Sequence, residues 1–144
     1  MAPPPPAVTT IHATCVAIGG QGVILVGPSG AGKSDLALRL MDRGASLVAD
    51  DQCDLAMIGG KLLCAPPDAL AGMLEIRGIG ITEHVWTAPV PLVLAVRLTE
   101  RTERMPDPAI EELGDHVLPA IRLNAYETSA AIKVEMALAR QAAI

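Results

Sequence analysis

Residues 27 to 34 read GPSGAGKS, which matches the phosphate-binding pattern G-x-x-x-x-G-K-[ST]. They follow an apolar, β-branched run at residues 23 to 26 and precede a segment with helical periodicity. Backbone N–H groups at the beginning of such a helix converge on an anion, and the lysine adds a mobile positive charge. The motif therefore predicts a phosphate-binding loop that joins a buried strand to a helix.

Every residue of this loop is a candidate for contact with nucleotide phosphates. These residues are Gly27, Pro28, Ser29, Gly30, Ala31, Gly32, Lys33 and Ser34. The hydroxyl group of Ser34 can also reach a Mg²⁺ ion bound to those phosphates.

Two adjacent acids, Asp50 and Asp51, end a short apolar strand soon after the predicted helix. In a parallel sheet, acids at the carboxyl end of a strand point towards the phosphate site. Neighbouring residues on a strand face opposite sides, so the two acids share one role only if the strand ends there. On opposite sides, one acid would act on an attacking hydroxyl group and the other on the metal ion or its waters. The alternative is that both acids form a turn.

Glu75 and Arg77 are two residues apart in the stretch EIRGIGI, which has a glycine-rich exit. We expect both side chains on the same face of one strand. There the carboxylate suits a metal ligand and the guanidinium suits a phosphate clamp. A surface ion pair on a strand is the simpler alternative.

The spacing of the motifs argues against a GTPase switch or a motor. Many phosphate-loop hydrolases place their metal-binding acid far downstream, whereas here the acids lie on the next strand, and the guanine-reading sequence NKxD does not occur. A kinase for a protein, a kinase for a small molecule and a nucleotide sensor without enzymatic activity remain as alternatives.

The remaining pattern predicts an α/β fold, a phosphate-loop-containing mixed β-sheet with flanking helices. Hairpins are expected from residues 11 to 26, around GGQG, and from DLAMI with KLLCA. VPLVLAVRL suits a central strand, and residues 128 to 141 suit a terminal helix. The charged stretch TERTERMPDPAIEELGDH indicates an exposed loop with one helical turn. Residues 1–8 are expected to form a flexible proline-rich leader and residues 9–144 a single domain.

Composition excludes several classes of function. The net charge is -5, so the chain offers no basic surface for nucleic acid or anionic lipid. No apolar run approaches the ~18 residues of a membrane span. The three cysteines lack the spacing of a metal site or a disulfide framework and are typical of core residues in a reducing cytoplasm. A small molecule or a basic protein surface is the expected partner, and the cytoplasm is the expected location.

Aromatic side chains are scarce, with one Trp, one Tyr and no Phe. A purine can hardly be held between two rings in such a chain. We therefore expect weak selectivity for the nucleotide base.

Taken in order and spacing, GPSGAGKS, LVADD and EIRGIGI resemble the catalytic domain of HPr kinase/phosphorylase. This bacterial enzyme phosphorylates a serine of the phosphocarrier protein HPr. The resemblance covers residues 11 to 100 well and the remainder loosely. It implies the fold of that domain, ATP and Mg²⁺ as cofactors, an HPr-like protein as partner, and a homo-oligomer, for which a hexamer is the assembly to test.

The same resemblance implies roles for individual residues. Ser34 and Glu75 would hold Mg²⁺. Asp50 would take the proton from the substrate serine and return it when the reaction runs backward with inorganic phosphate, while Asp51 would assist at the metal or the phosphate. His12 matches a histidine on the strand before the loop, and Arg104 matches an arginine that stabilises the transferring phosphoryl group.

The chain also departs from the family pattern. The usual member carries an additional N-terminal domain, so the chain resembles a short form. The stretch after the central strand is abbreviated, and AIRLNAYETS replaces a glycine-rich entry to the last helix. These departures concern the acceptor, the regulation and the assembly, and they leave the phosphate loop untouched.

Overall fold

A computed structural model describes residues 5–143 of the chain. Residues 1–4 of the expected leader lie outside the described residues, and residues 5–8 are exposed and belong to no helix or strand. The strands are β1 (Thr9–Ile11), β2 (Thr14–Ile18), β3 (Gln21–Val26), β4 (Ser46–Ala49), β5 (Cys53–Ile58), β6 (Lys61–Ala65), β7 (Met73–Ile76), β8 (Gly80–Glu83), β9 (Val90–Leu98), β10 (Ala109–Leu113) and β11 (His116–Leu123). The helices are α1 (Lys33–Asp42), α2 (Ala130–Ala142) and a short 3-10 helix (Asp68–Leu70).

Most of the strands form one mixed sheet, which confirms the predicted fold class. Its order is β1-β5-β6-β9-β3-β2-β4, with β11 pairing with the second half of β9 and β10 pairing with β11. The pairs β3–β9 and β9–β11 are parallel, and the other pairs in this sheet are antiparallel. Strands β7 and β8 form a separate hairpin.

The direction of the strands determines where the functional residues meet. Strand β2 is antiparallel to both β3 and β4, so β3 and β4 run in the same direction although they are not neighbours. The carboxyl ends of β4, β3, β9 and β11 therefore lie at the same edge of the sheet. This is the edge at which open α/β sheets bind ligands.

Two hydrophobic clusters cover the two faces of the sheet. On one face, α1 and α2 pack on the central strands through buried aliphatic residues such as Leu36, Leu94 and Val134. The opposite cluster contains the three cysteines, Cys15, Cys53 and Cys64, which are all free and buried. Their prediction as core residues is confirmed.

Two predicted elements are wrong in part, although the hairpin around GGQG forms between β2 and β3. The run of residues 11 to 18 is interrupted at His12 and Ala13, because β1 pairs with β5 whereas β2 pairs with β3 and β4. The charged stretch after β9 contains no helical turn, and its second half is β10. Glu111 on β10 pairs with Arg97 on β9. The charge at Glu111, which the sequence analysis assigns to a loop, therefore belongs to an ion pair between two strands.

Several predicted elements are confirmed. The phosphate loop opens α1, and Gly44 follows the helix with a φ of 111°. Strand β9 is central, the β5–β6 hairpin forms, and α2 ends the described chain. Among residues 5–143, neither helix is long and apolar enough to cross a membrane.

Candidate functional site

A cleft of about 770 Å³ lies at the edge where β3 and β4 end. Its walls include the phosphate loop, both aspartates, and the turn between β7 and β8. The structure thus brings together three motifs that are far apart in the sequence.

The phosphate loop takes conformations that favour glycine. Gly30 and Gly32 have φ values of 85° and 95°, which lie in the left-handed region. A Cβ atom on Gly32 would also lie 2.9 Å from the Cβ of Ala125, so a larger residue would push against the chain after β11. Helix α1 begins at Lys33, and its first N–H groups border the cleft. A phosphate would be bound by these groups.

Lys33 lies over the loop and is only 8% exposed. Its ammonium group donates to the carbonyl oxygens of Gly27 and Pro28, at 2.7 and 3.0 Å. Burial lowers the pKa of Lys33, and the nearby charges of Asp50 and Asp51 oppose that shift. The end of the lysine side chain is therefore held at the mouth of the loop by two carbonyl oxygens.

Asp50 is 6% exposed and accepts three hydrogen bonds. Its Oδ1 accepts from the hydroxyl groups of Thr14 and Ser34, both at 2.8 Å, and its Oδ2 accepts from the backbone N–H of Glu75 at 3.1 Å. Three separate elements therefore fix the carboxylate beside the last residue of the phosphate loop. A buried carboxylate needs such partners, because an unpaired charge in this position would be costly.

Asp51 has a different environment from its neighbour. Strand β4 ends at Ala49, and Asp51 has a φ of 70° and an exposed side chain, whereas Asp50 is buried. Its Oδ1 lies 3.3 Å from Nδ1 of His12, and both side chains are more than half exposed. The prediction that the strand ends at the acids is therefore confirmed, and the two acids have separate surroundings.

Glu75 lies on β7 and is exposed at the cleft, but Arg77 lies in the turn after β7. The prediction that both residues share one strand face is wrong. The N–H of Ile79 bonds to the carbonyl of Ile76 at 3.0 Å, and Gly78 takes a φ of 89°, so the chain turns at Arg77. The guanidinium still borders the cleft, from the turn and not from the strand.

Arg104 does not join this group of residues. It lies in the exposed connection between β9 and β10 and is not part of the wall of the cleft. Its assignment rests on the resemblance alone and stays a prediction.

Two residues of the site were missed by the sequence analysis. Thr14 bonds to Asp50, but a threonine on an apolar strand carries no signal that separates it from other strand threonines. Tyr126 borders the cleft, and its hydroxyl group donates to the carbonyl of Gly30. The scarcity of aromatic residues was the one signal that could have drawn attention to it.

The oxygen atoms at the cleft fit a magnesium ion that is bound together with a substrate. Within residues 5–143, no three His, Cys, Asp or Glu side chains converge into a site that could hold a metal ion. The hydroxyl of Ser34 and the carboxylate of Glu75 nevertheless border the same cleft. Mg²⁺ usually takes one or two protein ligands and completes its shell with substrate phosphates and water.

Comparison with known proteins decides the family. The family model of the HPr Serine kinase C-terminal domain matches residues 6–87, which is more than half of the chain. The chain belongs to this family. The matched region includes the phosphate loop, both aspartates and β7, and it ends before β9. The HPr kinase resemblance is confirmed.

Similar proteins agree with this assignment. The chain is 47% identical over 75 residues to the HPr kinase/phosphorylase of Clostridium tetani and 44% identical over 75 residues to that of Clostridium beijerinckii, in each case over 52% of this chain. The chain spans about a quarter of the length of these curated relatives, 25% in both. The solved structure of the Hpr(Ser) kinase/phosphatase from Coxiella burnetii matches with a TM-score of 0.79 and 26% identity, over 94% of this chain and 90% of that one.

Proposed function

We propose that the chain is an ATP-dependent protein kinase that phosphorylates a serine of an HPr-like phosphocarrier protein. The observation that carries this proposal is the buried carboxylate of Asp50, hydrogen-bonded to Ser34 at the end of the phosphate loop. The names of the relatives support the same reaction and the same class of acceptor.

The phosphate loop binds the nucleotide. Its backbone N–H groups and the beginning of α1 hold the phosphates, and Lys33 exchanges the carbonyl oxygens of Gly27 and Pro28 for phosphate oxygens. Ser34 and Glu75 would hold Mg²⁺, which would neutralise part of the negative charge on the phosphates during transfer. Charge neutralisation and in-line placement are the main requirements of phosphoryl transfer.

Asp50 acts as the general base. Its Oδ1 accepts from both Thr14 and Ser34, so rotation of the Ser34 hydroxyl away from it would leave that oxygen with one donor fewer. The oxygen can then accept the proton of the substrate serine as its hydroxyl attacks the γ-phosphorus, the bond from that phosphorus to the β–γ bridging oxygen breaks, and ADP leaves. Thr14 and the N–H of Glu75 keep the carboxylate in position during this exchange.

Asp51 and His12 form an exposed pair at the same cleft. Asp51 orients the imidazole ring, and the pair assists where the acceptor serine meets the phosphoryl group. Arg77 contributes positive charge from the β7–β8 turn. Arg104 would have to approach from the exposed connection when the acceptor binds.

The same groups permit the reverse reaction with inorganic phosphate. A phosphate oxygen attacks the phosphorus of phosphoserine, the bond between that phosphorus and the serine oxygen breaks, and a new P–O–P bond forms. Asp50 takes the proton of the attacking phosphate and gives it to the serine oxygen, and pyrophosphate leaves. The loop supports this direction because it holds phosphate groups whatever is attached to them.

We further propose that residues 9–144 act as one kinase domain, in the cytoplasm, and as a homo-oligomer, with a hexamer as the assembly to test. The connection from residue 100 to residue 108 is exposed, so it can close over a bound acceptor.

The deciding experiment combines the purified chain with Mg²⁺, labelled ATP and a purified HPr-like protein. We expect the label on one serine of that protein, and none when the serine is replaced by alanine. Lys33→Ala should abolish transfer, whereas Lys61→Ala, at an exposed position remote from the loop, should not. Label on a small molecule instead, or ATP binding with no transfer at all, would overturn the proposal. Release of pyrophosphate from the phosphorylated protein and inorganic phosphate tests the reverse reaction.

A further inference from the structure

The phosphate loop lies between two flanks that come from opposite sides of β3. The acid flank consists of Thr14, Asp50, Asp51 and Glu75, and its aspartates follow β4, two strands from β3 on one side. The tyrosine flank consists of residues 124 to 127, which follow β11, two strands from β3 on the other side. All of these strands end at the same edge, so a ligand on the loop meets both flanks.

The tyrosine flank contacts the loop directly. The hydroxyl of Tyr126 donates to the carbonyl of Gly30, and two ring carbons lie 3.5 and 3.6 Å from the place that a Cβ atom on Gly32 would take. Ala125 packs against the same glycine. The ring is therefore held at the cleft by contacts with two loop residues.

Other residues fix the flank itself. Arg39 on α1 donates to the carbonyl oxygens of Ala125 and Glu127. The side-chain oxygen of Asn124 accepts the N–H of Tyr126 at 2.9 Å. Although it is exposed, the tyrosine thus stands on a backbone that is tied to the helix of the phosphate loop.

The expected orientation of the nucleotide gives this ring a role. This step rests on the proposed function, in which the γ-phosphate faces Asp50 on the acid flank. The nucleoside then extends away from that flank, towards Leu38 and Tyr126, which border the same cleft. Tyr126 is 66% exposed, so most of its surface is accessible to a flat ligand.

We propose that Tyr126 is the stacking platform for the nucleobase. Stacking on an aromatic ring tolerates every base, because each base has a π-face. A single platform without a second ring would therefore bind ATP and GTP with similar affinity, which agrees with a chain that contains one Trp, one Tyr and no Phe.

The test compares a ligand that has a base with one that has none. The affinities for Mg·ATP, Mg·GTP and Mg·tripolyphosphate are measured by calorimetry for the wild type, Tyr126→Leu and Tyr126→Phe, with the melting temperature as the control for folding. Tyr126→Leu should weaken both nucleotides about 10-fold or more and leave tripolyphosphate within about 2-fold. Tyr126→Phe keeps the ring and loses only the bond to Gly30, so it should stay within about 2-fold of the wild type for the nucleotides.

The contrary outcomes are distinct. Equal weakening of all three ligands by Tyr126→Leu would mean that the tyrosine only shapes the loop, and unchanged nucleotide affinity would mean that the base binds elsewhere. Either result overturns the stacking platform. Because binding is measured without an acceptor, a chain that binds nucleotides through Tyr126 but transfers nothing to an HPr-like protein would overturn the proposed function and support this inference.

Discussion

The acid flank and the tyrosine flank solve different problems with different kinds of structure. On the acid flank, Asp50 is buried and fixed by three hydrogen bonds. On the tyrosine flank, Tyr126 is largely exposed, and its ring is held by the one bond from its hydroxyl group to Gly30, above a backbone bonded to Asn124. A proton transfer requires an oxygen atom at a defined place, whereas stacking requires only an accessible ring face within contact distance of the base. The comparison therefore predicts that one flank controls turnover and the other controls affinity.

The largest expected effect is on the acid flank. Asp50→Asn should reduce phosphoryl transfer about 100-fold or more and change ATP affinity only a few-fold, because the amide cannot accept the serine proton. Turnover and nucleotide affinity are measured separately, with the melting temperature as a check, since the amide nitrogen cannot accept from the N–H of Glu75.

Asp51→Asn is the matched variant, one residue away and exposed. It should lose less turnover than Asp50→Asn. A larger loss of turnover in Asp51→Asn than in Asp50→Asn would assign the role of general base to Asp51. The base on this flank would then be the exposed acid and not the buried one.

An intermediate effect is expected at the metal ligand. Glu75→Gln should raise the Mg²⁺ concentration for half-maximal activity several-fold, because one carboxylate charge leaves a hard-cation site. Glu83→Gln on the partner strand of the same hairpin is the control and should leave the Mg²⁺ dependence unchanged. A Glu75 variant with lower stability and the same Mg²⁺ dependence would favour the surface ion-pair role instead.

The smallest effect is expected where α1 supports the tyrosine flank. Arg39→Met removes the bonds to the carbonyl oxygens of Ala125 and Glu127, so the unfolding free energy should fall by about 1 kcal/mol and ATP affinity should fall a few-fold. Arg43→Met removes the exposed ion pair with Glu135 and should change the affinity for ATP little. If Arg39→Met and Arg43→Met bound ATP with equal affinity, the tyrosine flank would have no part in nucleotide binding.

The two flanks also differ in how far the sequence predicts them. A dense motif and local periodicity predict the phosphate loop, α1 and the acids after β4. These features are predictable because each of them is formed by residues that are close together in the sequence. The family model ends at residue 87, so it includes the acid flank and excludes the tyrosine flank.

The missed features depend on contacts over long distances in the sequence. The interruption at His12 and Ala13 reflects a choice of pairing partners, and β10 was hidden because Glu111 pairs with Arg97 on another strand. Neither Thr14 nor Tyr126 belongs to a motif. Thr14 joins the site because it bonds to Asp50, which follows β4, and Tyr126 joins it because it follows β11. The turn at Arg77 was missed for a local reason, since glycine-rich exits of strands and tight turns share the same residues.

The packing of Gly32 against Ala125 has a consequence for the order in which the site can form during synthesis. The phosphate-binding motif is complete once residue 34 has left the ribosome, but the wall against which Gly32 packs comes from Ala125, which is synthesised much later. A nascent chain that ends after β9 would contain every motif of the acid flank and still lack the support for its loop. Competence to hold a nucleotide in the native geometry is therefore expected as a late, cooperative event of folding, reached when β11 has docked on β9.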